Sequence, residues 1–148
     1  MPAFQTGHVG LNVTDLDKSA AFYQRVFGFE ISRRSQEDGK EFAFLAQDGT
    51  LTLTLWRQSE GRFATARPGL HHLSFQVESL REVRRAEAEL RELGATIHHG
   101  GIVPHGEGAT SGGVFFEDPD GIRLEIYAPD GAGDRPAPTG SAPTCGFF

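Results

Sequence analysis

Two patterns of hydrophobic and polar positions run along this chain, and each occurs twice. The first is alternation. In Leu70-His71-His72-Leu73-Ser74-Phe75-Gln76-Val77, successive side chains of an extended strand point to opposite faces. Leu73, Phe75 and Val77 therefore share one face, and His72, Ser74 and Gln76 share the other. Near the start, His8-Val9-Gly10-Leu11-Asn12-Val13 repeats this, with Val9, Leu11 and Val13 against His8, Gly10 and Asn12. The second pattern is helical. Ala20, Phe22-Tyr23 and Val26-Phe27 follow the first strand at helical spacing, and Leu80, Val83, Ala86, Leu90 and Leu93 follow the second.

Taken in order, the pattern predicts a strand over 8–14 and a helix over 17–27, begun by capping residues in Thr14-Asp15-Leu16-Asp17 and closed by Gly28. Strands follow over 29–34, 41–46 and 50–56, separated by turns at Glu37-Asp38-Gly39 and Gln47-Asp48-Gly49. A polar link, 57–69, ends at Pro68-Gly69. The order then repeats. A strand over 70–77 leads to the capping box Ser79-Leu80-Arg81-Glu82 and a helix running to Leu93, closed by Gly94. Strands are predicted over 95–99, 114–117 and 122–127, with a long Gly-rich loop over 100–113 that leaves room for irregular strand inside it, and a turn at Asp118-Pro119-Asp120-Gly121.

The unit is βαβββ, used twice, so the fold class is α+β. Module one covers 7–57 and module two 70–128, together a single domain of 7–128. Residues 129–148, rich in Gly, Pro, Ala, Ser and Thr, read as a flexible or extended tail whose two terminal phenylalanines, Phe147 and Phe148, could dock on a surface. Gly146 spoils the aliphatic spacing a prenylated Cys145 would need.

Charge and composition narrow the function classes. A net charge of −6 argues against nucleic acid, whose phosphates demand a basic patch. Arg81, Arg84, Arg85 and Arg91 cluster, but Glu82, Glu87, Glu89 and Glu92 are interleaved, as on a solvated helix face. No apolar run is long enough for a membrane span and no signal-peptide pattern opens the chain. The single Cys145 permits no internal disulfide, so a reducing, cytoplasmic setting is expected.

The candidate chemistry lies on the polar faces. On the last strand Arg123, Glu125 and Tyr127 share one face, and Leu124 and Ile126 the other. If the apolar face packs on the helices, Glu125 lies on the same side as His8 and His72. Two imidazoles and a carboxylate suit Fe, Zn, Ni, Co or Mn and leave positions open for substrate, water or O₂. A lone strand histidine is more often simply solvated; the repeat-related placement of His8 and His72 is what favours a site. Asn12, Ser74 and Gln76 share that face and are candidates to orient a ligand or substrate. Arg123 is either an anchor for a carboxylate or enolate oxygen or a rim residue in a surface ion pair. Leu51, Leu53, Leu55, Trp56 and Phe115 suggest that part of the pocket is apolar. Alternation turns His71 to the opposite face, so it receives no metal role.

These residues resemble the vicinal oxygen chelate superfamily, which includes glyoxalase I, extradiol dioxygenases, fosfomycin-resistance thiol transferases and bleomycin-binding proteins. The resemblance rests on His8-Val-Gly-Leu-Asn-Val-Thr-Asp15-Leu, Phe22-Tyr23, Phe27-Gly28-Phe29, Leu70–Val77 and Phe115–Tyr127, and covers 7–128. It implies paired βαβββ modules forming a cupped, mostly antiparallel sheet around one divalent metal. Its ligands would map to His8, His72 and Glu125, within one chain or shared across a homodimer. The family's fourth ligand position, a Glu in glyoxalase I, would map to Leu53, and three ligands suit dioxygenases and fosfomycin-type enzymes better. Extradiol dioxygenases carry a Tyr where Phe115 stands and an acid–base His near Gly106, which makes His105 a candidate, though a histidine in a Gly-rich loop can equally be idle. Tyr127 is a second catalytic candidate. Fosfomycin enzymes carry a Lys in that loop, and no Lys follows Lys40 here. The expected function is a divalent-metal-dependent enzyme acting on a small oxygen-chelating substrate, by ring-cleaving dioxygenation or lyase/isomerase chemistry. The alternative is a non-catalytic protein of the same fold that binds a small molecule or antibiotic.

Overall fold

Alternation produces two four-stranded sheets, one in each of two units. The computed structural model describes residues 1–148, and the units are 1–62 and 63–148. The first unit runs β1 (Val9–Asn12), α1 (Leu16–Phe27), β2 (Glu30–Ser35), β3 (Phe42–Gln47) and β4 (Thr50–Trp56). Its strand order is β1-β4-β3-β2, with β1 parallel to β4 and the other pairs antiparallel. Asp15 caps α1 by accepting a 3.0 Å hydrogen bond from the Lys18 amide, and Gly28, at φ +73°, ends it in the left-handed conformation that glycine adopts without steric cost. Leu16, Ala20, Tyr23 and Val26 are buried along α1, and Leu45, Leu53 and Leu55 of the sheet are completely buried. Each fully buried leucine contributes about 1.5–3 kcal/mol by removal from water.

The second unit repeats the order: β5 (Leu73–Gln76), α2 (Leu80–Glu92), β6 (Ile97–Pro104), β7 (Gly112–Glu117) and β8 (Arg123–Ala128). Its sheet is ordered β5-β8-β7-β6, again with the first pair parallel. The capping box forms: the Ser79 amide donates to the Glu82 carboxylate at 3.1 Å. Leu80, Val83, Ala86 and Leu90 are buried along α2, as are Val114, Phe116, Leu124 and Ile126 on the sheet. That leaves Glu125 and its neighbours on the face away from α2. Gly113 lets β8 come close, since a Cβ there would fall 2.6 Å from the Tyr127 Cα.

The structure sharpens or corrects three expectations. The loop placed over 100–113 is partly strand: β6 continues to Pro104 after an irregularity between His98 and Val103. His99 (φ +59°), Gly100 and Gly101 take positive φ within that irregularity, and this hid the strand from a simple alternation test. Residues 129–148, expected as a flexible tail, are tied to the second unit. The Ala132 amide donates to the Thr110 carbonyl at 2.8 Å, and Thr144 is completely buried at the start of a 3₁₀ turn, Thr144–Gly146.

The third concerns Leu53. β4 carries one extra residue, because Leu45 pairs with Leu53 but Ala46 pairs with Leu51. Beyond this bulge the register of the first unit shifts by one relative to the second. In the second unit Glu125 pairs with Ser74 and Phe115; in the first, Thr54 pairs with Gly10 and Phe44. Thr54, not Leu53, is therefore the counterpart of Glu125, and Leu53 belongs to the core. The same shift takes Leu55 off the polar face. The apolar groups on that face of the first unit are Phe42, Phe44 and Trp56, with the Arg33 guanidinium 5.3 Å above the Phe42 ring.

No helix is long and apolar enough to cross a membrane.

Candidate functional site

The site of the second unit is built on β8. Strand alternation sends Arg123, Glu125 and Tyr127 to the side away from α2, and the flanking strands bring Ser74, Gln76 and Phe115 to the same side. Glu125, between two paired strands, is only 2% exposed. A buried carboxylate costs free energy unless it is partnered. Two imidazoles meet it. His72, just before β5, places Nε2 3.9 Å from Glu125 Oε1, and His105, after β6, hydrogen-bonds Oε2 through its own Nε2. The far nitrogen of His105, Nδ1, lies 2.8 Å from the Ser111 hydroxyl, and its amide donates to the Ser111 carbonyl at 2.9 Å. A single residue thus fixes both the backbone and the ring of His105. The Tyr127 ring packs edge-on against His105 at 4.8 Å, and its hydroxyl donates to Gln76 Oε1 at 2.8 Å.

Burial holds the His72 pKa below its ordinary 6.5 against the opposing pull of the Glu125 carboxylate. The imidazole is therefore neutral at neutral pH, with a lone pair to offer. His71 is not turned away as alternation implied. It precedes the first paired residue of β5, where no ladder yet fixes side-chain direction, and its Nδ1 lies 2.8 Å from the Nδ1 of His72. With Nδ1 so engaged, Nε2 is the His72 nitrogen directed at Glu125.

Of the residues singled out above, His72, His105, Phe115, Arg123, Glu125 and Tyr127 come together, with Gln76 on Tyr127 and Ser74 beside Glu125 in the ladder. His8 and Asn12 are exposed in the first unit, Asn12 pairing with Trp56. Sequence reasoning missed His98, whose Nε2 lies 2.9 Å from Glu117 Oε2, and it named the terminal phenylalanines only as able to dock on a surface, without the site: the Phe147 ring contacts His72 and Phe115. His98 falls inside the strand predicted over 95–99, and its register opposite Phe115 is the signal that marks it; nothing in the composition of the tail pointed Phe147 to this face.

The donors suit a divalent cation: a neutral imidazole nitrogen and a carboxylate oxygen, on one face and directed toward each other. Within the second unit they form a pair, and no third His, Cys, Asp or Glu completes a ligand set with them.

Two βαβββ units, each a four-stranded mixed sheet with one helix, define an α+β protein built on an internal repeat. The chain belongs to the Glyoxalase/Bleomycin resistance protein/Dioxygenase superfamily, whose family model matches residues 5–126. It is 28% identical over 139 residues to a catechol-2,3-dioxygenase of Bacillus subtilis (strain 168), a match covering 90% of this chain and 42% of that protein, so the chain spans less than half of that relative's length. It is 32% identical over 120 residues to a trivalent organoarsenical cleaving enzyme of Bacillus sp. (strain MD1), covering 81% and 70%. Among solved structures, a glyoxylase/bleomycin resistance protein/dioxygenase domain from Frankia sp. EAN1pec superposes with a TM-score of 0.74 at 28% identity, covering 86% of this chain and 99% of that one.

Proposed function

We propose that the chain is a divalent-metal-dependent enzyme acting on a small substrate that presents two neighbouring oxygens. Ring-cleaving dioxygenation is the first candidate reaction and lyase or isomerase chemistry the second. The observation that carries this reading is the buried Glu125 carboxylate, approached on one oxygen by the His72 Nε2 and hydrogen-bonded on the other by His105. The similarity to a catechol-2,3-dioxygenase supports the first candidate.

His72 and Glu125 are the proposed ligands of the second unit. His8, the repeat counterpart of His72, is proposed as the third on the strength of the repeat. A bound divalent ion supplies Lewis acidity to the substrate oxygens. The chain's own residues do the rest. His105, held through both ring nitrogens, moves a proton at Nε2. Tyr127 braces that ring, Phe115 walls the site, and Arg123 counters negative charge on substrate oxygen. Ser74, Gln76 and Asn12 are proposed to orient substrate.

The test is metal content after anaerobic reconstitution with Fe(II), Mn, Ni, Co or Zn, followed by oxygen uptake with catechols. About one equivalent per chain is expected, falling below about a tenth in His72→Ala and Glu125→Ala and reduced in His8→Ala. A wild-type protein that takes up none of the five metals sinks the enzyme reading and leaves a small-molecule binding protein.

A further inference from the structure

The face that carries Glu125 also holds an aromatic ring of the chain itself. Phe147 lies 4.9 Å from His98 and 5.6 Å from Phe115, ring centre to ring centre, with interplanar angles of 76° and 83°. It lies 5.7 Å from His72, and the Arg123 guanidinium sits 5.1 Å from its centre. Edge-to-face rings and a cation over the ring face are the arrangements that satisfy an aromatic quadrupole. Four side chains from three strands and the β5 approach thus surround one six-membered ring from several sides.

Phe147 reaches this position by a specific device. Thr144 is completely buried; its hydroxyl donates to the Pro104 carbonyl at 2.6 Å and its amide to the His105 carbonyl at 2.7 Å. A 3₁₀ turn follows, and Phe147 itself takes φ +56°, a conformation that residues with a Cβ hold only when their surroundings impose it. Apolar character alone does not explain the choice, since the adjacent Phe148 is 82% exposed. The segment also lies beyond residue 126, where the match to the superfamily ends.

We propose that His72, His98, Phe115 and Arg123 form a binding box for a single aromatic ring of the substrate, and that Phe147 occupies it as a built-in plug. Phe115 pairs with Glu125 across the ladder, so a ring in the box carries its substituents beside that carboxylate. The inference names an aryl substrate class and rests on the metal-enzyme reading for the direction of those substituents. A plug competes with the ligand: apparent affinity falls by the fraction of time the box is open.

The experiment uses the full chain stripped of metal with EDTA and titrated calorimetrically with catechol, and with cyclohexane-1,2-diol as the non-aromatic counterpart. Phe147→Ala is expected to bind catechol about tenfold tighter than wild type or better, as for a box open about a tenth of the time. Phe148→Ala is expected to match wild type, the diol to gain nothing, and Arg123→Gln in the Phe147→Ala background to reverse most of the gain. An unchanged catechol affinity in Phe147→Ala overturns the inference, as does an equal gain for the diol. Because no metal is present, a negative result leaves the metal reading standing, and a failed metal titration leaves the box intact.

Discussion

The imidazole of His105 is hydrogen-bonded through Nε2 to the carboxylate of Glu125, at a point where that carboxylate is almost completely buried. This contact distinguishes the two imidazoles of the site. His72 faces the first carboxylate oxygen from a distance that leaves room between them, while His105 is already bonded to the second and is held from behind by Ser111. On the proposed function, the first shares a metal ion with the carboxylate and the second exchanges a proton.

The two roles separate under mutation. Glu125→Gln keeps the shape of the side chain but removes the charge, and is expected to weaken metal binding more than about tenfold. His105→Asn is expected to retain metal at wild-type stoichiometry while turnover falls about 10²–10⁴-fold, the usual reach of general acid–base catalysis. Leaving the carboxylate short of a partner also costs about 1–3 kcal/mol of stability, read as a lower urea midpoint. Metal content and rate measured on the same preparations decide the matter: a His105→Asn protein that loses metal as fully as Glu125→Gln makes His105 a ligand instead.

The bulge in β4 has its own consequence. Leu53 pairs with Val9 and is completely buried, while Thr54 stands at the position equivalent to Glu125 and accepts a 2.9 Å hydrogen bond from the Trp56 indole. Leu53→Ala is expected to cost about 2–5 kcal/mol, the range for a truncated core leucine. Leu53→Glu is expected not to fold, because it buries an unpaired charge. Thr54→Ser keeps the hydroxyl and is expected to stay within about 1 kcal/mol of wild type. Thermal denaturation of the three variants is the check. A stable Leu53→Glu protein would return Leu53 to the polar face.

What could be read in advance follows from which signals are local. The βαβββ repeat was legible because alternation, helix spacing and the caps at Asp15 and Ser79 are written in contiguous residues. Glu125 and His72 were legible because each sits at or next to a regular strand whose other face is apolar. Leu53 misled because matching the turns Asp48-Gly49 and Asp120-Gly121 assumes equal strand lengths, and a one-residue bulge reverses every face beyond it. The strict Thr/Leu alternation of Thr50–Leu55 held the correction, since a partner of the polar histidine face has to come from the threonines. The place where Phe147 docks was illegible for a different reason. It depends on Thr144 reaching Pro104 and His105, contacts between residues some forty positions apart that no window of sequence contains.

His99 is one source of the pH dependence. Burial, reinforced by the neighbouring His98, holds its pKa below the ordinary 6.5, against a hydrogen bond to the Thr144 backbone that pulls the other way. Between the lowered folded value and 6.5 the unfolded chain binds more protons, so stability rises with pH across that window. The contribution is fully present above pH 6.5 and is lost as pH falls through the folded pKa. Metal-free protein is expected to unfold at lower urea at pH 5.5 than at pH 7.5. His99→Asn, which suits the left-handed backbone at φ +59°, removes one titrating group and is expected to shrink that difference by less than about 1 kcal/mol, since the ring is partly solvated. His72 shifts in the same direction in both proteins and cancels in the comparison. Equal urea midpoint shifts for wild type and His99→Asn would remove His99 as a source of the acid sensitivity.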